Sequence, residues 1–151
     1  MNSIHFKFVT PERTLFDGQA ESITCMTELG QITVLPHHAP LVAKLVPGEI
    51  VVVQENTTQS LHASGGFLQV EPGSQVIALA DSAEYVAEID LARAEQAVQK
   101  ARERLAQAAS LSAQEYAVTA ALLERNLSRT RIARKRSRRR TNITSEGVFE
   151  E

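Results

Sequence analysis

Hydrophobic and polar residues alternate over the first half of the chain and fall into helical spacing over the second. Ile4, Phe6 and Phe8 alternate with His5, Lys7 and Val9, and Ile23 and Cys25 alternate with Thr24 and Met26. A period of two marks a strand with one buried face. Between Gly30 and Ile50 the apolar runs Ile32 to Leu35 and Leu41 to Val46 are interrupted by Pro36, Pro40, Pro47 and Gly48. Proline has no N–H to give a ladder and glycine admits positive φ, so this punctuation belongs to short strands joined by tight turns. Further strands are expected at Glu49 to Gln54, Leu61 to Ser64, Phe67 to Val70 and Val76 to Ala80. Turn signals at Asp17-Gly18, Leu29-Gly30, Pro47-Gly48, Gly65-Gly66 and Pro72-Gly73 have the rhythm of an all-β sandwich. The pattern predicts two packed antiparallel sheets over residues 1–84.

From Ala83 onward the pattern changes. Neither Gly nor Pro occurs between Asp81 and Arg140, and Ala, Glu, Gln and Arg dominate, so helix formers run unbroken. Leu91, Ala94, Val98, Ala101, Leu105 and Ala108 recur at three and four residues, a narrow stripe suited to pairing with one other helix. Asp90 is a natural cap for this helix. Ser112-Ala113-Gln114-Glu115 has the capping-box form, which starts a second helix at about Ala113 with the stripe Tyr116, Ala120, Leu123 and Leu127. The expected architecture is segregated α+β: an antiparallel β-sandwich over residues 1–84, a two-helix antiparallel hairpin over 85–140 and a flexible tail over 141–151. Alanine-rich faces bury little area per turn, so the hairpin is expected to be marginally stable by itself and open to capture by a partner.

Composition sharpens this division. The 151 residues are 43% hydrophobic, enough for one core with an appendage. The net charge of -2 conceals an uneven distribution. Met1 to Val86 holds three basic and nine acidic residues, whereas the remainder holds thirteen basic and nine acidic. Cys25 is the single cysteine, so it is expected to pack as a small hydrophobe in a reducing compartment. With no basic-then-apolar leader and no apolar stretch of about 18 residues, the sequence predicts a soluble chain that reaches a membrane only through a partner.

Few residues suggest chemistry. There is no phosphate-binding Gly-x-x-x-x-Gly-Lys loop, no Gly-x-Ser-x-Gly elbow and no Cys or His cluster at metal spacing, so neither catalytic nor metal-ligating residues are expected. His37 and His38 are adjacent, and in an extended segment they point to opposite faces. Arg125, Arg129, Arg131, Arg134, Lys135, Arg136, Arg138, Arg139 and Arg140 form a run without an intervening acid. Guanidiniums on neighbouring helical turns make a fork array for carboxylates or phosphates. The run reads as a solvated helix end, as a dock for an acidic protein surface, or as a nucleic-acid contact, the last disfavoured by the lack of interleaved aromatics.

Several spaced motifs carry a resemblance. Thr10-Pro11-Glu12-Arg13, Leu35-Pro36-His37-His38-Ala39-Pro40-Leu41, Pro47-Gly48-Glu49-Ile50, Gly65-Gly66-Phe67-Leu68, Leu79-Ala80-Asp81 and Ile89-Asp90-Leu91-Ala92-Arg93-Ala94 resemble, in order, the epsilon subunit of the F-type ATP synthase, to about residue 130. The resemblance implies a non-catalytic rotor subunit of the central stalk. Its sandwich rests beside the gamma subunit and on the ring of c subunits, and its hairpin extends into the head of alpha and beta subunits to inhibit ATP hydrolysis. It further implies a peripheral location at the cytoplasmic face of the bacterial inner membrane, or the equivalent thylakoid face. By resemblance, Gln31 and His38 lie in turns facing the c ring, and Arg125 and Arg129 face an acidic motif of beta. The Ile89–Ala94 segment is similar to one with which some members bind regulatory ATP, with Glu84, Ile89, Asp90, Arg93, Ala94, Arg125 and Arg129 at matching positions and Lys100 where an Arg is usual. Asp90 as a plain helix cap is the simpler reading of the same residues. His37 replaces the family's usual Gly, and since a Cβ restricts φ a differently shaped turn is expected. The reading from another class is a free-standing module that contacts nucleic acid or an acidic protein through the Arg run.

Overall fold

The computed structural model describes residues 2–146, with side chains described as far as Arg140. The chain packs as two units that meet between Tyr85 and Val86. In the first, the strands are β1 (Ile4–Val9), β2 (Thr14–Ala20), β3 (Ser22–Thr27), β4 (Gly30–Val34), β5 (Leu41–Leu45), β6 (Gly48–Gln54), β7 (Thr57–Ala63), β8 (Gly66–Glu71), β9 (Gln75–Ala80) and β10 (Ala83–Tyr85). Hydrogen bonds join them in the order β10-β7-β6-β3-β5-β8-β9-β1-β2, with β4 beside β3. All pairs are antiparallel except β1 with β9. The sheet folds over to a nearly closed sandwich: the Glu21 N–H donates to the Val53 carbonyl at 2.8 Å, and the Gln54 amide donates to the Gln19 carbonyl at 3.0 Å.

The alternation read from sequence is the alternation of burial. Ile4, Phe6, Phe8, Ile23, Cys25, Ile50, Val52, Leu61, Leu68, Val76 and Ala78 are all buried in one core. Burying one large side chain of this kind contributes about 1.5–3 kcal/mol. Burial pushes the Cys25 thiol up to about 11, which leaves it an inert hydrophobe.

Two expectations for this unit need correction. Asp17-Gly18 is no turn: both residues lie within β2, paired with Lys7 and Phe6 of β1. Strand pairing overrides the local turn propensity because Phe16 packs on Phe6, centroids 5.5 Å apart, and Asp17 accepts a 2.7 Å contact from the His5 ring. The strand β2 ends the sheet, where a glycine is tolerated. The three-residue β10 was not expected at all; it pairs with β7, and the Tyr85 hydroxyl donates to the Leu15 carbonyl.

The second unit begins with a 3-10 turn, Val86–Glu88, and contains α1 (Leu91–Ala106) and α2 (Ala113–Glu146). Asp90 caps α1, its Oδ1 accepting the Arg93 N–H at 3.2 Å. The capping box forms as expected: Glu115 accepts the Ser112 N–H at 2.8 Å, and the Ser112 hydroxyl accepts the Glu115 N–H at 3.1 Å. The Ser112 backbone N–H, then its hydroxyl, hold the Glu115 carboxyl below its ordinary pKa. With the folded value depressed, this contribution is present above the ordinary carboxylate range and is lost as pH falls through the folded value.

Against α1, with Ala94, Val98 and Ala101 buried, α2 uses the expected stripe only in part. Ala120 and Leu123 are half-buried but Tyr116 and Leu127 are exposed, and the fully buried positions include Thr119, Asn126, Thr130 and Ala133. These polar side chains are buried without penalty because each bonds its own helix. The Thr119 hydroxyl donates to the Glu115 carbonyl at 2.7 Å, the Asn126 amide to the Leu122 carbonyl at 2.8 Å, and the Thr130 hydroxyl to the Asn126 carbonyl at 3.0 Å. The Arg134 guanidinium donates to Glu95 at 2.7 Å across the hairpin. Helix α2 continues to Glu146, beyond Arg140, where the tail was expected to begin; the rest of that tail, residues 147–151, lies outside the described residues.

Candidate functional site

The sandwich carries an exposed apolar row. Register places Lys44, Phe67, Leu79 and Val9 side by side across β5, β8, β9 and β1. Phe67 is 54% exposed, Leu79 55% and Val42, one step along β5, 70%. At the end of the row lies a recess of about 480 Å³, lined by Pro11, Lys44, Gly66, Phe67, Leu79 and Asp81 among others. Three segments far apart in sequence thus converge here: Thr10-Pro11, Gly66-Phe67 and Leu79-Ala80-Asp81. Each is held by local chemistry. The Thr10 N–H donates to the Arg13 carbonyl at 2.9 Å and the Arg13 N–H to the Thr10 hydroxyl at 3.2 Å, which closes the turn that presents Pro11. Gly66 has φ +139, and a Cβ there would sit 1.9 Å from the Leu79 carbonyl oxygen, so only glycine brings β8 this close to β9. Sequence reasoning had these motifs in hand and gave them no common role.

A second feature is the turn after β4. Gln31 is exposed on that strand and His38 is half-buried beyond it. The His38 N–H donates to the Leu35 carbonyl at 3.1 Å, and its Nδ1–H to the Ala39 carbonyl at 2.7 Å. The restriction expected from the Cβ of His37 does not win: His37 takes φ 64, the left-handed region, held by donation from its N–H to the Ser74 hydroxyl at 2.9 Å. The left-handed conformation costs a side-chain-bearing residue about 1–2 kcal/mol, partly offset by the greater chain entropy of glycine. His37→Gly is therefore expected to raise stability by roughly 0.5–1 kcal/mol, read as a higher Tm; an unchanged or lower Tm would mean the imidazole contributes more than the strain removes.

The residues matching the nucleotide segment are distributed as follows. Asp90, Arg93 and Ala94 occupy the cap and first turn of α1, where Arg93 is exposed and Ala94 fully buried. Arg125 and Arg129 are half-buried on successive turns of α2, with Arg129 donating to the Asn126 side chain at 2.9 Å. Glu84 belongs to the sandwich unit, opposite His62 on β7. Ile89 lines a cavity of about 300 Å³ together with Val86, Leu91, Ala133, Arg136 and Arg140. Among the described residues no cluster of His, Cys, Asp or Glu suits a metal ion, and no helix is long and apolar enough to cross a membrane.

The chain joins an acidic sandwich that bears an apolar recess to a cationic helical hairpin. Residues 3–86 match the family described as ATP synthase, Delta/Epsilon chain, beta-sandwich domain. The ATP synthase epsilon chain of Dehalococcoides mccartyi (strain BAV1) is 38% identical over 136 residues, 90% of this chain and 96% of that one. That of Halalkalibacterium halodurans is 37% identical over 108 residues, 72% and 80% of the two chains. In fold, the chain is similar to one in the Euglena gracilis mitochondrial ATP synthase OSCP/F1/c-ring assembly, with a TM-score of 0.73 at 24% identity over 85% and 79% of the chains. The chain belongs to the epsilon-chain family of the ATP synthase, whose members are stalk subunits and not the catalytic ones.

Proposed function

We propose that the chain acts as a rotor subunit coupling proton translocation to ATP synthesis, and that its hairpin restrains ATP hydrolysis. The observation that carries this reading is the convergence of three separated motifs on one exposed apolar recess. An apolar centre with a charged rim is what a persistent protein contact requires, and gamma is the partner we assign to it. The turns bearing Gln31 and His38 then rest on the c ring, which makes the membrane association peripheral, at the cytoplasmic face. Helix α2, 34 residues or about 51 Å long, carries Arg125, Arg129 and the cations beyond them toward acidic surfaces of the beta and alpha subunits. Regulatory ATP biases the hairpin by binding one of its arrangements better than the other, through the hairpin residues Ile89, Asp90, Arg93, Ala94, Arg125 and Arg129.

One experiment reads both halves of the proposal. The catalytic head is reconstituted with the full chain or with a chain ending at Ser110. The shortened chain is expected to keep gamma, because the recess lies wholly in the sandwich, while ATP hydrolysis rises several-fold. Loss of gamma would move docking to the hairpin, and unchanged hydrolysis would remove the inhibitory role.

A further inference from the structure

Helix α2 has more than one apolar face. Besides the positions buried against α1, its first half leaves Tyr116, Val118, Leu122 and Leu127 exposed. Val118 is 56% exposed and Leu122 46%, on successive turns of the helix, so the hairpin's own core does not employ them. They continue into charge at both ends. Glu115, Val118, Leu122 and Arg125 follow one another at three, four and three residues, the spacing that puts four side chains on one stripe. Val118 precedes the buried Thr119 by one residue, about 100° round the helix, so this stripe runs beside the one buried against α1.

The stripe is its own complement. Glu115 and Arg125 stand five residues either side of Ala120, and Val118 and Leu122 two residues either side. We propose that a second copy of the chain docks on this stripe, α2 against α2 in antiparallel, with a two-fold axis at the level of Ala120. Val118 then meets Leu122 of the second copy and Glu115 meets its Arg125, each contact being made twice, as two-fold symmetry requires. Glu115 can take a guanidinium without giving up its cap. One carboxylate oxygen accepts the Ser112 N–H at 2.8 Å, while the other lies 4.0 Å from Arg104, at the outer limit of an ion pair. Parallel pairing would set Glu115 on Glu115 and Arg125 on Arg125, so the charges select the antiparallel arrangement. From Glu115 to Arg125 the seam is about 15 Å long, which places it among transient contacts, and a Kd on the order of 100 µM is expected. Pairing occupies the same Arg125 that the proposed contact with the beta subunit uses, so paired chains are chains outside the assembly; this consequence alone rests on the proposed function.

Sedimentation equilibrium of the full chain, from about 10 µM to about 1 mM, is expected to show monomer passing to dimer. Leu122→Glu puts an acid at the centre of the seam and should raise the Kd at least about tenfold. Tyr116→Glu replaces an equally exposed apolar group about 200° round the helix from Val118 and should change it less than about threefold. Glutamate keeps helix propensity, and circular dichroism verifies that both variants retain their helices. Orientation is read by oxidation: Val118→Cys chains mixed with Leu122→Cys chains should cross-link faster than either alone, with the buried Cys25 common to all. A chain that stays monomeric to about 1 mM would overturn the proposal. Equal weakening by Leu122→Glu and Tyr116→Glu would move association off this stripe, and fastest cross-linking of Val118→Cys with itself would make the pair parallel; either also overturns it.

Discussion

A Gly66→Ala chain is expected to lose about 3–5 kcal/mol of stability, a large share of the roughly 5–15 kcal/mol that holds a typical domain folded. Two costs combine. At φ +139 a residue with a Cβ is strained whatever the space around it. The added methyl would also meet the Leu79 carbonyl oxygen at 1.9 Å and the Ala80 Cα at 2.8 Å, and these are backbone atoms of the paired strand. Gly66 is paired in register with Ala80, so they cannot retreat without disturbing the ladder between β8 and β9. Gly73 separates the two terms: its φ is +82, but nothing lies within 4 Å of a Cβ built there. Gly73→Ala should cost only the strain, about 1 kcal/mol. Urea midpoints of the two variants test this, and equal shifts would show that the close approach of β8 to β9 is unimportant.

What the sequence disclosed, and what it hid, follows the range of the interactions involved. Strands whose inner residues are large and alternate, such as Ile4, Phe6 and Phe8, were legible because the period is local and the burial complete. Both helix starts were legible for the same reason, since the capping bonds of Asp90 and of the Ser112–Glu115 pair are made to residues three positions away. The strand β2 was not. Asp-Gly favours a turn in isolation, and the side chains that overrule it, His5 and Phe6, come from another strand. The inner face of α2 was read only in part, at Ala120 and Leu123, because hydrophobicity is a poor guide where Thr and Asn can satisfy themselves on their own helix. The recess lay beyond sequence reading altogether: its assembly needs the parallel pairing of Val9 with Leu79, seventy positions away. The same is true of Val118 and Leu122, whose exposure shows only once the fold buries Thr119 and Asn126 instead.

Replacing Phe67 by aspartate is expected to abolish stable docking while leaving the sandwich folded. Phe67 is 54% exposed and lies outside the core, so the substitution should cost only about 1 kcal/mol, mainly from placing aspartate in a strand. The outcome for a partner is different. An aromatic group at the centre of an apolar contact carries about 2 kcal/mol or more of binding, which is roughly thirty-fold in Kd. Aspartate removes that contact and takes a charge into the interface, in a recess that Asp81 also lines. Phe67→Leu, which keeps an apolar group between Lys44 and Leu79, should retain most of the affinity. Binding of the full chain to gamma, measured alongside thermal melts, reads both quantities. Undiminished affinity with Phe67→Asp would make the row an ordinary set of exposed side chains and leave the recess without a partner, because scattered apolar residues on a surface need no explanation whereas a contiguous patch does.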